Sequence, residues 1–488
     1  MKKTILLYML LALFCCSACN DKEPVAEVTL DHMPNIFPDY VNVTIPTNIA
    51  PLRFHLTDTT ETAVAVLICG DKKIITSTRN GKFLFAEKEW KQLVESAKGK
   101  DIEVKVYRKD ANKWSLYKPF HWHVATEPTD GYLVYRLIEP GYELWNLMGI
   151  YQRELASFQQ SAIIENNLTD HNCMNCHSFQ QQNPDKMLFH MRAQLPGTYI
   201  INGKKIEKLD TKASDKVQSL VYPSWHPSRN LVAFSVNTTR QAFHMNDKNR
   251  IEVYDQASDV VIYDIDQHEV VTDSLIFSSG AFETFPTFSA DGKTLYFCSA
   301  KAKKMPEEFK SVKYSLCSID FDPDTRSFGN RVDTLYNAEK EGKSVSFPRV
   351  SPDGRFLVYT LSAYGNFSIW HKDADLYIID LQNDAIRCMD EANSSDVESY
   401  HSWSSNSRWM AFSSRRMDGL YTRPYLMYIG KDGKAGKPFA LPQKDPDFYT
   451  NFMQSYNIPE FVKDKVEIDA HSIAGSARTA GNSIRMGN

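Results

Sequence analysis

Four stretches of this chain repeat one pattern in one register. Tyr222-Pro223-Ser224-Trp225 runs on to Ala233-Phe234, and Tyr400-His401-Ser402-Trp403 runs on to Ala411-Phe412. Between them, Phe285-Pro286-Thr287-Phe288 leads through Asp291-Gly292-Lys293 to Tyr296-Phe297, and Phe347-Pro348-Arg349-Val350 leads through Asp353-Gly354-Arg355 to Val358-Tyr359. Each block sets an aromatic residue, a turn and an apolar strand within thirteen residues. Further strands ending in acid lie between the blocks, such as Val260-Val261-Ile262-Tyr263-Asp264 and Leu376-Tyr377-Ile378-Ile379-Asp380. A unit of about 50 to 60 residues made of strand and turn cannot bury its apolar face alone. Stacking such units around an axis buries them all, and the result is a β-propeller. The Asp-Gly pairs supply the positive φ that a tight turn between adjacent strands requires.

A fifth copy starts earlier. His177-Ser178-Phe179 takes the place of His401-Ser402-Trp403, and 183–189 reads as a variant of 351–357. A sixth sheet is available from 128–138 or from 439–462, so six blades are expected. The pattern F-P-x-[FW]-S-x-D-G-[KR]-x-[LI]-x-[YF] resembles the PD40 repeats of TolB-like propellers over about 172–463. The blocks at 285 and 347 match closely; those at 222 and 400 lack the Asp-Gly. The resemblance implies a scaffold whose channel mouth grips a protein, peptide or glycan partner.

The fifth copy contains Cys173-Met174-Asn175-Cys176-His177. Two cysteines three apart with histidine next form the attachment pattern of a c-type haem. Both thiols add to the vinyl groups of one porphyrin, and the following imidazole falls under the iron. In these five residues the chain resembles the c-type cytochromes. That resemblance implies one covalent haem c per chain, thioether-bound to Cys173 and Cys176 in a blade loop, with His177 as proximal ligand. Candidates for the iron's other face are His190 and Met191, the pair His244-Met245, and His226 and His401 from equivalent blade positions. A disulfide, a redox-active CxxC and half of a zinc site are the competing readings of the two cysteines.

Compartment bears on that choice. Lys2 and Lys3 precede an apolar run from Ile5 to Phe14 and then Cys15-Cys16-Ser17-Ala18-Cys19, the layout of a secretory signal. It resembles a bacterial lipoprotein signal peptide, which implies that 1–18 are removed and that Cys19 is lipidated. The chain is then expected in the cell envelope, anchored to the outer membrane and facing the periplasm or the surface. Haem c is attached outside the cytoplasmic membrane, but an oxidising compartment also permits disulfides. Cys69, Cys298, Cys317 and Cys388 stand singly among apolar residues and read as buried thiols.

The formal net charge of −4 offers no basic excess for nucleic acid, so none is expected as a partner. Strand patterns over 26–127, broken by an amphipathic helix from Glu87 to Ala97, indicate an immunoglobulin-like β-sandwich. His121 and His123 on one strand face read as surface histidines. Residues 128–170 read as a strand-helix connector, mostly helical from Tyr142 to Glu165, with 171–463 as the propeller. The small, polar residues of 464–488 read as a disordered tail. No nucleophile elbow or zinc-protease motif is present, and lone carboxylates such as Glu460 read as surface groups. The fold class is therefore mainly β. The function it points to is electron transfer or redox sensing by a mounted haem, with a haem-free binding scaffold as the alternative.

Overall fold

The computed structural model describes residues 22–487, apart from 59, 61, 141–145, 212–216 and 218. The signal segment and Cys19 lie outside the described residues.

The N-terminal part is a β-sandwich. Its larger sheet is organised on Asp101–Asp110, which pairs along one edge with Thr62–Cys69 and along the other with Lys113–Leu116 and Phe120–Val124. Alternation decides which side chains go in: Phe120, Trp122 and Val124 are buried while His121 and His123 face outward. His123 meets only Asp101, at 2.8 Å, so the pair stays a surface feature. A three-stranded sheet of Ile36–Phe37, Phe54–Leu56 and Lys82–Phe83 forms the other layer. The helix Glu87–Ser96 buries Trp90, Leu93 and Val94. The two buried indoles are satisfied by backbone, Trp90 donating to the Ile49 carbonyl at 2.8 Å and Trp122 to that of Tyr40 at 2.7 Å.

The remainder is a propeller of six sheets. Blades 2 to 6 begin with the inner strands Cys173–Phe179, Val221–Trp225, Ala281–Phe288, Ser344–Val350 and Glu398–Trp403. Blade 1 draws on both ends of the propeller sequence. Tyr132–Ile138, Met148–Glu154 and Gln160–Glu165 supply three strands, and Ser455–Val462 returns to pair with Tyr132–Ile138 as the innermost. Residues 128–138 and the end of 439–462 thus share one blade, while Phe439–Ala440 is the outer strand of blade 6. The Asp-Gly turns are as expected, with Gly292 at φ +75° and Gly354 at φ +73°. A Cβ on Gly292 would stand 2.1 Å from Nε2 of His226, so His226 is packed against that turn and not free to ligate.

The sandwich is fastened to blades 1 and 6. The Ala50 amide donates to the Leu155 carbonyl, Trp409 donates to the Glu127 carbonyl, and Arg53 donates to that of Lys444, while Asp130 in the linker accepts from the backbone and hydroxyl of Ser405. One apolar cluster runs from Trp90 and Trp122 through Tyr40 to Phe412 and Phe439.

Two sequence expectations change here. Residues 148–165 are strands of blade 1, not helix; 141–145 lie outside the described residues. Leucines and aromatics at helical spacing coincide with a strand alternation, and Gly149 permits the close pairing, since a Cβ there would sit 2.8 Å from the Ile164 carbonyl oxygen. The tail is also ordered. Ala470–Ala477 is a helix that buries Ile473, Ala474 and Ala477, while Asn482–Ser483 and Arg485–Met486 add a fifth strand to blades 2 and 3. The few apolar residues of a polar tail suffice because two exposed sheet edges receive its backbone.

Candidate functional site: the central channel

One irregularity, repeated six times, builds the channel. In every inner strand two residues oppose one on the second strand, which is a β-bulge. The first bulged residue has left-handed backbone in each blade: Ile458 (φ +53°), Cys176 (+53°), Tyr222 (+50°), Phe285 (+51°), Phe347 (+53°) and Tyr400 (+48°). The single residue opposite is always aromatic: Tyr135, Phe189, Phe234, Phe297, Tyr359 and Phe412. Left-handed conformation is unfavourable for such side chains, so the packing around each bulge must hold it in place.

The bulged residues meet around the axis. Tyr222 and Phe285 have ring centroids 4.3 Å apart, Phe285 and Phe347 4.5 Å, and Phe347 and Tyr400 4.9 Å. Four rings thus form a collar, which Cys176 and Ile458 complete without a ring. Below the collar, two residues on, come Ser178, Ser224, Thr287, Arg349, Ser402 and Glu460. Glu460 accepts from the Phe179 amide at 3.0 Å, and burial pushes its carboxyl up to about 8. Glu460 is therefore a channel group and not a surface one; the parallel of Ile458-Pro459-Glu460-Phe461 with Tyr400-His401-Ser402-Trp403 was the available signal.

Above the collar the channel opens into a funnel, and the whole cavity measures about 1160 Å³. Cys173, Asn175 and Cys176 border it, with Arg136, Arg192 and Arg415 around them. The long hairpin of Leu231–Phe243 and Ile251–Asp264 reaches over the opening and brings His244 and Met245 to its edge.

The motif lies in a strand and its bulge, not in a blade loop, because the chain pairs residue for residue with Lys186–Arg192 up to Asn175. Both thiols are free, so the disulfide reading does not hold for this structure. Asn175 donates to the Cys173 sulfur at 3.0 Å. Among the described residues no group of three or more His, Cys, Asp or Glu side chains is arranged to hold a metal ion, which leaves the zinc reading without a ligand set.

His177 is 2 % exposed, and its ring lies beside the backbone of Val134 and Ile458, yet neither ring nitrogen makes a hydrogen bond. Burial and the Arg136 guanidinium bring its pKa down to about 3, so the ring is neutral. Among the second-face candidates, His190 and Met191 are buried within blade 2, His190 on the Thr198 hydroxyl at 3.2 Å. His401 holds the Val358 carbonyl through Nε2 at 2.9 Å. His244 and Met245 stand at the funnel's edge; His401 also borders the cavity, but its Nε2 is taken by the Val358 carbonyl. Sequence reasoning passed over the arginines and the collar, since nothing local distinguishes a channel arginine from a surface one.

The residues present fit a tethered porphyrin in three respects: unbridged sulfurs on one cavity wall, a neighbouring imidazole with unpaired nitrogens, and arginines available to carboxylates.

No protein-family model and no curated protein matches the chain. Among solved structures, the periplasmic gluconolactonase of Pseudomonas aeruginosa is 12% identical, covers 81% of this chain and 99% of its own, and superposes with a TM-score of 0.34. Prolyl oligopeptidase B of Galerina marginata is 11% identical over 80% of this chain and 53% of its own, with a TM-score of 0.34. At these values neither likeness bears on what the channel holds.

Proposed function

We propose that the protein is an exported, lipid-anchored propeller whose funnel carries haem c on Cys173 and Cys176, with His177 offering a nitrogen to the iron. The observation that carries the reading is the pair of free sulfurs bordering one large cavity beside a histidine whose nitrogens lack partners. When bound, the group would supply one-electron chemistry for transfer or sensing. The chain's own part is positional. The bulge at Cys176 fixes the thiol on the channel wall, the aromatic collar narrows the channel beneath the funnel, and the long hairpin places His244 and Met245 at the funnel's edge, where either would be available to a bound group. The blades present a rigid rim to a protein partner.

The test is attachment. The full chain, made in a host able to attach haem c, is expected to stain for haem after denaturation and to show a reduced haem c spectrum. A colourless product from that host overturns the reading. A haem-free binding mount is the second reading. It is favoured by His401, which occupies the register position of His177 and serves only blade packing.

A further inference from the structure

The upper funnel gathers arginines that no acid meets at ion-pair distance. Elsewhere several deeply placed arginines meet acids, Arg408 with Asp353 at 2.6 Å, Arg416 with Glu398 at 3.0 Å and Arg423 with Asp418 at 3.5 Å, while Arg153 is taken up by carbonyl and amide oxygens. Arg136 and Arg415 are 7 % and 3 % exposed, yet among the described residues neither has a carboxylate within 4.0 Å. A buried guanidinium without an acid is unfavourable unless something else supplies the negative charge.

Both are held ready. The Arg415 guanidinium stacks on Trp370 at 3.4 Å and donates through Nε to the Ile369 carbonyl at 3.2 Å and through Nη1 to that of Leu420; Asp396 and Asp418 act on it only from beyond ion-pair distance. Arg136 donates through Nη1 to the Met174 carbonyl at 3.0 Å, while its buried Nε has no partner. Arg192, exposed, joins them at the funnel wall beside Tyr400. Below lies the collar, an apolar floor for a flat body.

We infer that the upper funnel is a binding site for an aromatic anion, its carboxylates on Arg136, Arg415 and Arg192 and its flat body against the collar. The site does not depend on the haem reading, since the arginines lack acids whatever the thiols carry. The carboxylates belong either to a porphyrin tethered at the cysteines or to a free aromatic acid.

The test uses the full chain with Cys173→Ala and Cys176→Ala, which removes tethering. It is titrated by fluorescence with mesoporphyrin IX, with the dimethyl ester of that porphyrin, and with phthalate. The diacid is expected to bind roughly tenfold or more tighter than the ester, the scale of one lost charge-assisted contact. Arg415→Gln is expected to weaken the diacid by a similar factor and leave the ester unchanged. Arg192→Gln, at an exposed position, provides the same comparison should the Arg415 variant fail to fold by circular dichroism. Phthalate binding without porphyrin binding supports the site and assigns it to a small free acid. Diacid binding alongside a colourless native protein supports the site and refutes only the tether. Equal affinity for diacid and ester, or no binding by any of the three, overturns the inference.

Discussion

Blades 2 and 6 flank blade 1 and use nearly the same inner strand. Cys176-His177-Ser178-Phe179 in one stands where Tyr400-His401-Ser402-Trp403 stands in the other, with the bulge and the left-handed residue in the same place. Their histidines differ in how closely they meet the same backbone. His401 bonds the Val358 carbonyl of the preceding blade at 2.9 Å, whereas His177 lies beside the equivalent Val134 without reaching hydrogen-bond geometry. Tyr400 adds a ring to the collar; Cys176 breaks it and opens a sulfur to the funnel. Blade 2 also carries a fifth strand from the tail, and blade 6 does not. Register therefore fixes where a side chain points, while its neighbours fix what it can do.

The largest expected effect separates the blades outright. Cys173→Ala or Cys176→Ala should abolish attachment through two thioethers, while Tyr400→Ala should leave it intact, as read by haem staining of denatured protein. Unchanged staining in both cysteine variants would make blade 2 no more special than blade 6. Next comes the outer edge. Ile473→Ala should lose about 2–4 kcal/mol in urea denaturation, because the tail helix buries that side chain completely. No loss would mean that the fifth strand of blade 2 is incidental.

A smaller effect sharpens the contrast between the histidines. In protein without attached haem, His401→Ala should cost about 1–3 kcal/mol by leaving the Val358 carbonyl unpaired. His177→Ala should cost less, having no hydrogen bond to lose. Equal denaturation midpoints would erase the distinction. A last effect, read along the pH axis and not as a single midpoint, concerns Glu460, whose amide contact joins blade 1 to blade 2. Its carboxyl titrates near 8 when folded, against 4.5 for an ordinary glutamate, so the native state binds the proton more tightly. Stability from this group is full below about 4.5 and is lost as pH rises toward about 8. Glu460→Gln should flatten that decline in a series of urea midpoints across the window, and an unchanged slope would refute it. Glu283, pushed up to about 8 chiefly by burial, adds a decline of the same sign that the variant leaves in place.

Much of this was legible. The aromatic-turn-strand blocks gave the blades and their register, including the equivalence of His177 and His401, because a propeller repeats its contacts as well as its residues. The bulges were hidden, since a two-against-one pairing requires knowing the partner strand. The first blade was misread as connector and helix for a related reason: its inner strand, Ser455–Val462, lies more than 300 residues beyond the strand it pairs with, Tyr132–Ile138. The funnel's arginines come from three blades, 6, 1 and 2, and only closure brings them together.

That closure has a temporal side. Ser455–Val462 is the last inner strand of the propeller in chain order, and the wall formed by Ile458 and Glu460 does not exist until it docks beside Tyr132–Ile138. During biogenesis the ring is an open arc, with Cys173 and Cys176 already synthesised and not yet enclosed. Any bulky group that the funnel takes would enter an open arc more easily than a finished aperture, which ties access to the funnel to the docking of one strand.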